Sequence, residues 1–384
     1  MALMRIAVLG GGPAGLYFAA LWKRRHPGDL VRLWEQNPAD ATFGFGVVFS
    51  QTALEFLRHR DAQTFALLGP HLESWHDITI VHRGQRVTID GVGFSAIGRL
   101  DLLRLLQQEA RAAGVEIKFG RPVNSLATLA RFDLIVGADG VNSFLRQELS
   151  DRFGTTVAEL ENPFIWYGTE RTFDTLTQTF VANAMGTFNA HHYRYQAGRS
   201  TFIVECDPAT WRRAGLDRLD RERSRRLCEQ VFAATLQGQP LIDNNSAWRH
   251  FPCVSNRCWS TGNVVLIGDA AHTAHYSIGS GTRLALGDAL ALAETLEQAP
   301  PGQITAALQA YEAGRRKSVE SLVTASLRSA AWYAGFPEHM QLEPLELAMS
   351  YLTRSGAVDA DRLRSTSPAF MAHYARHSAT THEA

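Results

Sequence analysis

A chain of 384 residues, 45% hydrophobic and 20% charged, can bury a core larger than one small domain needs, which excludes the disordered and fibrous classes. Lys+Arg and Asp+Glu balance at 38 each, so no net positive field points to nucleic acid or to an anionic membrane surface. The four cysteines, Cys206, Cys228, Cys253 and Cys258, are too few for a disulfide framework and lack zinc-ligand spacing, so reduced thiols and no metal are expected.

In chain order, residues 5–9 read as a short buried strand, 10–15 as a tight turn, 16–25 as a helix and 30–34 as a second strand: a β-α-β unit of a doubly wound sheet. Three glycines and a proline interrupt the apolar N-terminal stretch, and no run of about 18 apolar residues follows, so neither a secretory signal nor a membrane span is expected. A cytoplasmic protein is the expectation. Residues 100–113 have helical apolar spacing, 116–119 and 134–137 are short strands, and 163–205 turn β-rich and aromatic, the mark of a second lobe. Residues 263–267 return to a buried strand and 282–297 form a helix. The tail from Pro300 reads as helices, and 377–384 are expected to fray. These elements predict a discontinuous Rossmann-like nucleotide domain (1–73, 95–155, 255–300), an inserted β-rich substrate domain (74–94, 156–254) and a helical C-terminal region (301–384).

The chemistry starts at Gly10, Gly12 and Gly15, a G-x-G-x-x-G that also contains Pro13 and Ala14. The first glycine permits the turn, the second lets a pyrophosphate reach the backbone, and the third lets helix and strand pack. Glu35, at the end of the second strand, is placed to bind ribose hydroxyls. Two further strands end in Gly137-Ala138-Asp139-Gly140 and Gly268-Asp269-Ala270-Ala271-His272, at the edge where open α/β sheets bind ligands.

With these three motifs the chain resembles the single-component FAD monooxygenases of the para-hydroxybenzoate hydroxylase type. The resemblance implies that Asp269 holds the ribityl chain, that Asp139 serves the FAD diphosphate and NADH or NADPH, and that Arg99 leans on the cofactor. It also sets Gly46 and Val47, within Gly44-Phe45-Gly46-Val47-Val48-Phe49, beside the isoalloxazine ring. The loop ending Gly279-Ser280-Gly281-Thr282 opens a helix whose N–H groups would face the flavin. This loop departs from the wider family, having His275-Tyr276 where consecutive prolines are usual. A narrower likeness, carried by FGFGVVFS within 43–50, Trp166-Tyr167-Gly168-Thr169, STFIVE at 200–205, Asn244-Asn245-Ser246 and Leu352-Thr353-Arg354-Ser355-Gly356, is to the salicylyl-CoA 5-hydroxylases and the monooxygenase half of 2-aminobenzoyl-CoA monooxygenase/reductase. Part of the set is also similar to the tryptophan-derived hydroxylase of violacein biosynthesis.

What the resemblance implies is hydroxylation of an aromatic ring by O2 through a flavin C4a-hydroperoxide, with an aryl-CoA such as salicylyl-CoA hydroxylated at C5. His275, assisted by Tyr276, is the candidate proton-transferring residue, and Phe49, Tyr167, His191, Tyr193 and His275 are candidate substrate contacts. A monomer or homodimer is expected. Two alternatives stay open: a hydroxylase of a free aromatic or indolic metabolite, and a non-oxygenating flavin reductase or flavin-binding module. A flavin-dependent halogenase would need a W-x-W-x-I-P segment, which the sequence lacks.

Overall fold

The computed structural model describes residues 3–382, with side chains through residue 378. The chain forms two compact units: Met1–Thr42, Leu100–Glu159 and Pro252–Thr324 make the first, and Phe43–Arg99, Leu160–Phe251 and Ala325–Ala384 the second.

The first unit is built on a six-stranded sheet in the order Ser260–Thr261, Val264–Leu266, Leu134–Gly137, Arg5–Leu9, Leu30–Trp34, Glu116–Lys118. All neighbours are parallel except the first pair. A parallel sheet is covered on both faces, which is why its strands are continuous apolar runs rather than alternating ones: Ile6, Ala7 and Val8 are all fully buried. The crossover helix Pro13–Arg25 starts on a proline, whose missing N–H costs nothing at a helix start. It ends on Lys23, Arg24 and Arg25, which suit the negative end of its dipole. Register then builds a common rim. Leu9 lies opposite Gly137, and Gly137 opposite Leu266. The ladder runs one residue further, as the Ala138 N–H donates to Leu9 O at 2.7 Å and the Ile267 N–H to Gly137 O at 2.9 Å. Three strands therefore end side by side, each followed by one of the three motifs.

The second unit carries an eight-stranded sheet. Its main path runs Leu241–Ile242, Thr155–Thr169, Arg199–Cys206, Gly186–Gln196, Leu176–Asn183, Ile78–His82, Gln85–Ile89. The sheet expected to be antiparallel has one parallel pair, Leu176–Asn183 with Ile78–His82. Alternation gives it two apolar faces. One gathers Ile165, Tyr167, Phe188, Phe202 and Val204 with Cys228 and Phe232; the other gathers Ile80, Leu176, Phe180 and Tyr193 with Trp332, Tyr333 and Phe336.

Two boundaries differ from those expected. Residues 43–73 and 95–99 both group with the second unit, where Gly46–Ser50 and Glu73–Trp75 pair with Phe94–Gly98. The C-terminal residues form no separate region. The helix Ile304–Ala334 groups with the first unit up to Thr324, while from Ala325 onward the chain packs its aromatic residues into the second unit's core. At the far end the helix Pro368–His382 continues through most of the stretch expected to fray, and residues 383–384 lie outside the described residues. Among the described residues no helix is long and apolar enough to cross a membrane.

One buried histidine makes stability pH-dependent. His192 is 1% exposed, within 2.9 Å of Thr179 Oγ1 and stacked on Phe202. Burial first, then the positive neighbours His191, Arg86 and Arg171, holds its pKa well below the ordinary histidine value. Above the ordinary value neither state is protonated. As pH falls through it, the unfolded chain binds a proton that the native chain refuses, so stability drops by about 1.4 kcal/mol per pH unit until the low native value is reached. Chemical denaturation at pH 7.5 and 5.5 should show a smaller loss for His192→Phe than for the parent; equal losses would refute the assignment.

Candidate cofactor and substrate site

The turns after the three rim strands touch one another. Gly10 has φ +104°, and a Cβ there would lie 2.2 Å from Ala138 O. A Cβ on Gly15 would lie 2.1 Å from Gly10 O, and one on Gly268 (φ +61°) 3.2 Å from Ala14 Cβ. Only a residue without a side chain fits at Gly10 and Gly15, while at Gly268 the left-handed backbone favours glycine and the contact is tight. Gly12 differs: nothing lies within 4 Å of where its Cβ would be. That open ground adjoins the start of a helix whose N-cap makes no side-chain bond, so its first N–H groups are available to an anion.

Glu35 braces the same rim. Its Oε2 accepts the Gly11 N–H at 2.7 Å, and its Oε1 accepts the Asn37 N–H at 2.8 Å and the Asn37 amide at 2.7 Å. Each carboxylate oxygen has further acceptor capacity for a ribose hydroxyl. Asp139 accepts the Phe144 N–H at 2.8 Å through Oδ2, while its Oδ1 is buried without a partner. Burial pushes this carboxyl's pKa up. A buried oxygen left unsatisfied is costly, so the position fits a donor brought by a bound molecule.

Arg146, which sequence reasoning missed, is 3% exposed. It donates to Gly140 O at 3.4 Å, to Ala270 O at 3.2 Å and to Val141 O, clamping the Asp139 turn to the Gly268–Ala270 turn. Burial lowers its pKa and the nearby Asp139 opposes the shift. Its only sequence signal is its place seven residues after Asp139. Asp269 itself lies exposed on the short turn Gly268–Ala270.

His275 is 4% exposed, with Nδ1 2.8 Å from Ser277 Oγ and 3.4 Å from Ser277 N, and its ring lies 4.2 Å from that of Tyr276. Gly279, Ser280, Gly281 and Thr282 then open the 18-residue helix Gly281–Gln298. Ser280 makes no side-chain cap bond and the first turn carries no acid, so this helix end also presents N–H groups to a negative ligand.

The remaining candidates lie in the second unit. The Gly46 N–H donates to Thr201 Oγ1 at 2.9 Å, and Gly46 O accepts the Tyr193 hydroxyl at 2.8 Å. A Cβ on Gly46 would meet Tyr195 Cβ at 2.4 Å, so its smallness has a packing reason as well. Val47 follows, half-buried, and Phe49 is 1% exposed. Arg99 is half-buried at the start of the helix Arg99–Ala113, and its N–H donates to Phe45 O at 2.7 Å. His191 and Tyr193 share one sheet face, with rings 5.5 Å apart. Tyr167 is not brought to them.

Tyr167 points into the core on the other face with Phe202 and Phe232, and its hydroxyl is buried without a partner. Strand alternation decides this, since Tyr167 is registered opposite Phe202 and Trp166 opposite Ile203. Tyr167→Phe is therefore expected to change kcat and KM by less than about twofold and to leave Tm equal or slightly raised, because deleting an unsatisfied buried hydroxyl removes a desolvation cost. A large KM increase would return Tyr167 to the substrate contacts.

Open ground at Gly12, an orphaned oxygen on Asp139 and two unopposed helix starts in one unit fit a dinucleotide cofactor with a diphosphate. Comparison with known proteins gives the same answer. The family described as "FAD binding domain" matches residues 4–326. The chain is 42% identical over 362 residues to the salicyloyl-CoA 5-hydroxylase of Streptomyces sp, covering 92% of this chain and 70% of that one. It is 37% identical over 356 residues to the 3-hydroxy-4-methyl-anthranilyl-[aryl-carrier protein] 5-monooxygenase of Streptosporangium sibiricum, covering 92% and 95%. With the protodeoxyviolaceinate monooxygenase of Chromobacterium violaceum it shares 32% over 359 residues, covering 91% and 94%. Among solved structures, 2-methyl-3-hydroxypyridine-5-carboxylic acid oxygenase superposes with a TM-score of 0.68 at 19% identity, over 92% of this chain and 96% of that one, a likeness of fold.

Proposed function

The chain belongs to the FAD binding domain family and is an FAD-dependent aromatic monooxygenase, and from that premise we propose that its substrate is an aryl-CoA thioester, salicylyl-CoA hydroxylated at C5. The observation that carries the proposal is the 42% identity, sustained along 92% of the chain, to a protein named for that reaction. When bound, FAD reduced by NADH or NADPH supplies activated dioxygen.

This chain's own residues then have three tasks. The Gly10–Gly15 turn and the start of the helix Pro13–Arg25 receive the diphosphate, Glu35 the ribose hydroxyls and Asp269 the ribityl chain, while Asp139 serves the diphosphate and NADH or NADPH. Within the first unit the Gly279–Thr282 segment is a further cofactor contact; within the second, Gly46, Val47 and Arg99 are assigned to the cofactor and Phe49, His191 and Tyr193 to the aromatic substrate. His275 takes the proton from the ring hydroxyl as electron density moves to the attacked carbon, with Tyr276 against its ring. Its Nδ1 accepts the Ser277 N–H at 3.4 Å and lies 2.8 Å from the Ser277 hydroxyl, contacts that hold the ring in one orientation. We place the enzyme in the cytoplasm, as a monomer or homodimer acting on small molecules, with neither nucleic acid nor membrane as partner.

The test is NADH and NADPH oxidation by the purified holoenzyme with salicylyl-CoA, 2-aminobenzoyl-CoA, free salicylate and free indolic acids, with products identified by mass. Stimulation by the CoA thioesters, with a product one oxygen heavier, is expected. Stimulation by the free acids alone would move the substrate to the class represented by the violacein-pathway relative.

A further inference from the structure

A buried charged cluster joins the Gly268–His272 motif to Asp288 and Arg315, two residues that belong to no motif described above. Asp288, in the middle of the helix Gly281–Gln298, is fully buried. Its Oδ2 accepts the Gly268 N–H at 3.0 Å and lies 2.9 Å from His272 Nε2, while its Oδ1 accepts Arg315 Nε at 2.8 Å. Arg315 reaches in from the helix Ile304–Ala334, and its guanidinium also donates to Leu284 O at 3.2 Å and Ser318 Oγ at 3.0 Å. Gly287 makes room for it, because a Cβ there would lie 2.5 Å from Arg315 Nη2. His272 is 5% exposed and packs its ring 5.1 Å from that of Trp259.

We propose that Asp288 is a positioning residue for the cofactor: by holding the Gly268 N–H and the Arg315 guanidinium at once, it fixes the Gly268–Ala270 turn to the helix that begins at Gly281. An aspartate buried in an apolar helix face is strongly disfavoured unless each oxygen is satisfied, and removing a partner exposes the full desolvation cost of the other. Here both oxygens are satisfied by groups from two separate segments, the Gly268–His272 stretch and the helix Ile304–Ala334. One of those segments is the turn carrying Asp269, and the helix holding Asp288 is the one whose first N–H groups face a negative ligand. The surrounding charges hold the Asp288 carboxyl ionised against its burial. A helix interior that needed only packing would have an apolar residue at this position. Asp288 touches no reacting atom in this scheme; it acts through the backbone of Gly268.

The inference rests on the family assignment and is tested on the holoenzyme. FAD dissociation is read from the flavin fluorescence recovered on dilution, and the Tm gained on adding FAD is read alongside, with circular dichroism confirming the fold. Asp288→Ala should weaken FAD binding by about a hundredfold. Asp288→Asn keeps an acceptor for Gly268 and should recover part of it, to a loss of about tenfold. In both variants the FAD-dependent gain in Tm should shrink. A folded Asp288→Ala protein whose FAD affinity and Tm gain stay within twofold of the parent's would overturn the proposal and leave Asp288 a packing residue. Should Asp288→Ala fail to fold, Arg315→Gln is measured identically: about a tenfold loss is expected, and a change below twofold overturns the proposal. A parent protein that retains no FAD would instead strike at the cofactor assignment, which separates the two failures.

Discussion

Replacing Gly10 with alanine is expected to leave a protein that no longer retains FAD. At φ +104° an L side chain is strained whatever its surroundings, and the added carbon would sit 2.2 Å from Ala138 O, 2.5 Å from Ala138 C and 2.7 Å from Asp139 Cα. All three obstacles are backbone, so no side-chain rotation relieves them. Either the first turn or the Asp139 turn must move, and Gly10 also anchors the rim through its N–H to Trp34 O at 2.8 Å. The cost is about 3 kcal/mol or more, combining dihedral strain with overpacking. The flavin absorbance of the purified variant and its Tm read this directly. Gly12→Ala is the control that isolates the ligand: nothing in the protein opposes its Cβ, so fold and Tm should survive while FAD binding weakens. Full flavin content in Gly10→Ala would mean that the first turn is not where the diphosphate lies.

The second large effect is expected at His275. His275→Ala should reduce hydroxylation by about a hundredfold or more, the usual contribution of a positioned acid–base group, while bound FAD stays at the parent level. Reduction by NAD(P)H does not depend on the substrate proton in this scheme. The variant should therefore still oxidise NAD(P)H, with its two electrons reducing O2 to hydrogen peroxide instead of yielding hydroxylated product. Measuring product and peroxide per NAD(P)H consumed separates this outcome from simple loss of the fold. Normal coupling in His275→Ala would dispose of the assignment.

Much of the first unit was legible because a parallel sheet writes itself as apolar runs ended by glycine. Residues 5–9, 30–34 and 134–137 are strands at the predicted bounds, and the helix predicted at 282–297 spans Gly281–Gln298. The three motifs could be placed at strand ends, but the closeness of their turns could not, since it depends on register between strands more than a hundred residues apart. Arg146 and Asp288 were invisible for the same reason. A lone arginine or aspartate in a helix acquires meaning only from the carbonyls and guanidinium that tertiary packing brings to it. Tyr167 marks another limit: alternation shows that residues 166 and 167 face opposite ways without telling which face meets which core. The segment 43–73 escaped because its strand Gly46–Ser50 is fixed by pairing with Phe94–Gly98, a contact that local pattern does not encode.

Transfer of an atom of dioxygen to the ring of an aryl-CoA is measured by turnover of salicylyl-CoA under 18O2 with NADH or NADPH. The expected product is a hydroxylated CoA thioester carrying one 18O atom on the aromatic ring. A product whose new oxygen comes from water would rule out oxygenation, and a labelled product formed from free salicylate but not from the thioester would rule out the aryl-CoA substrate.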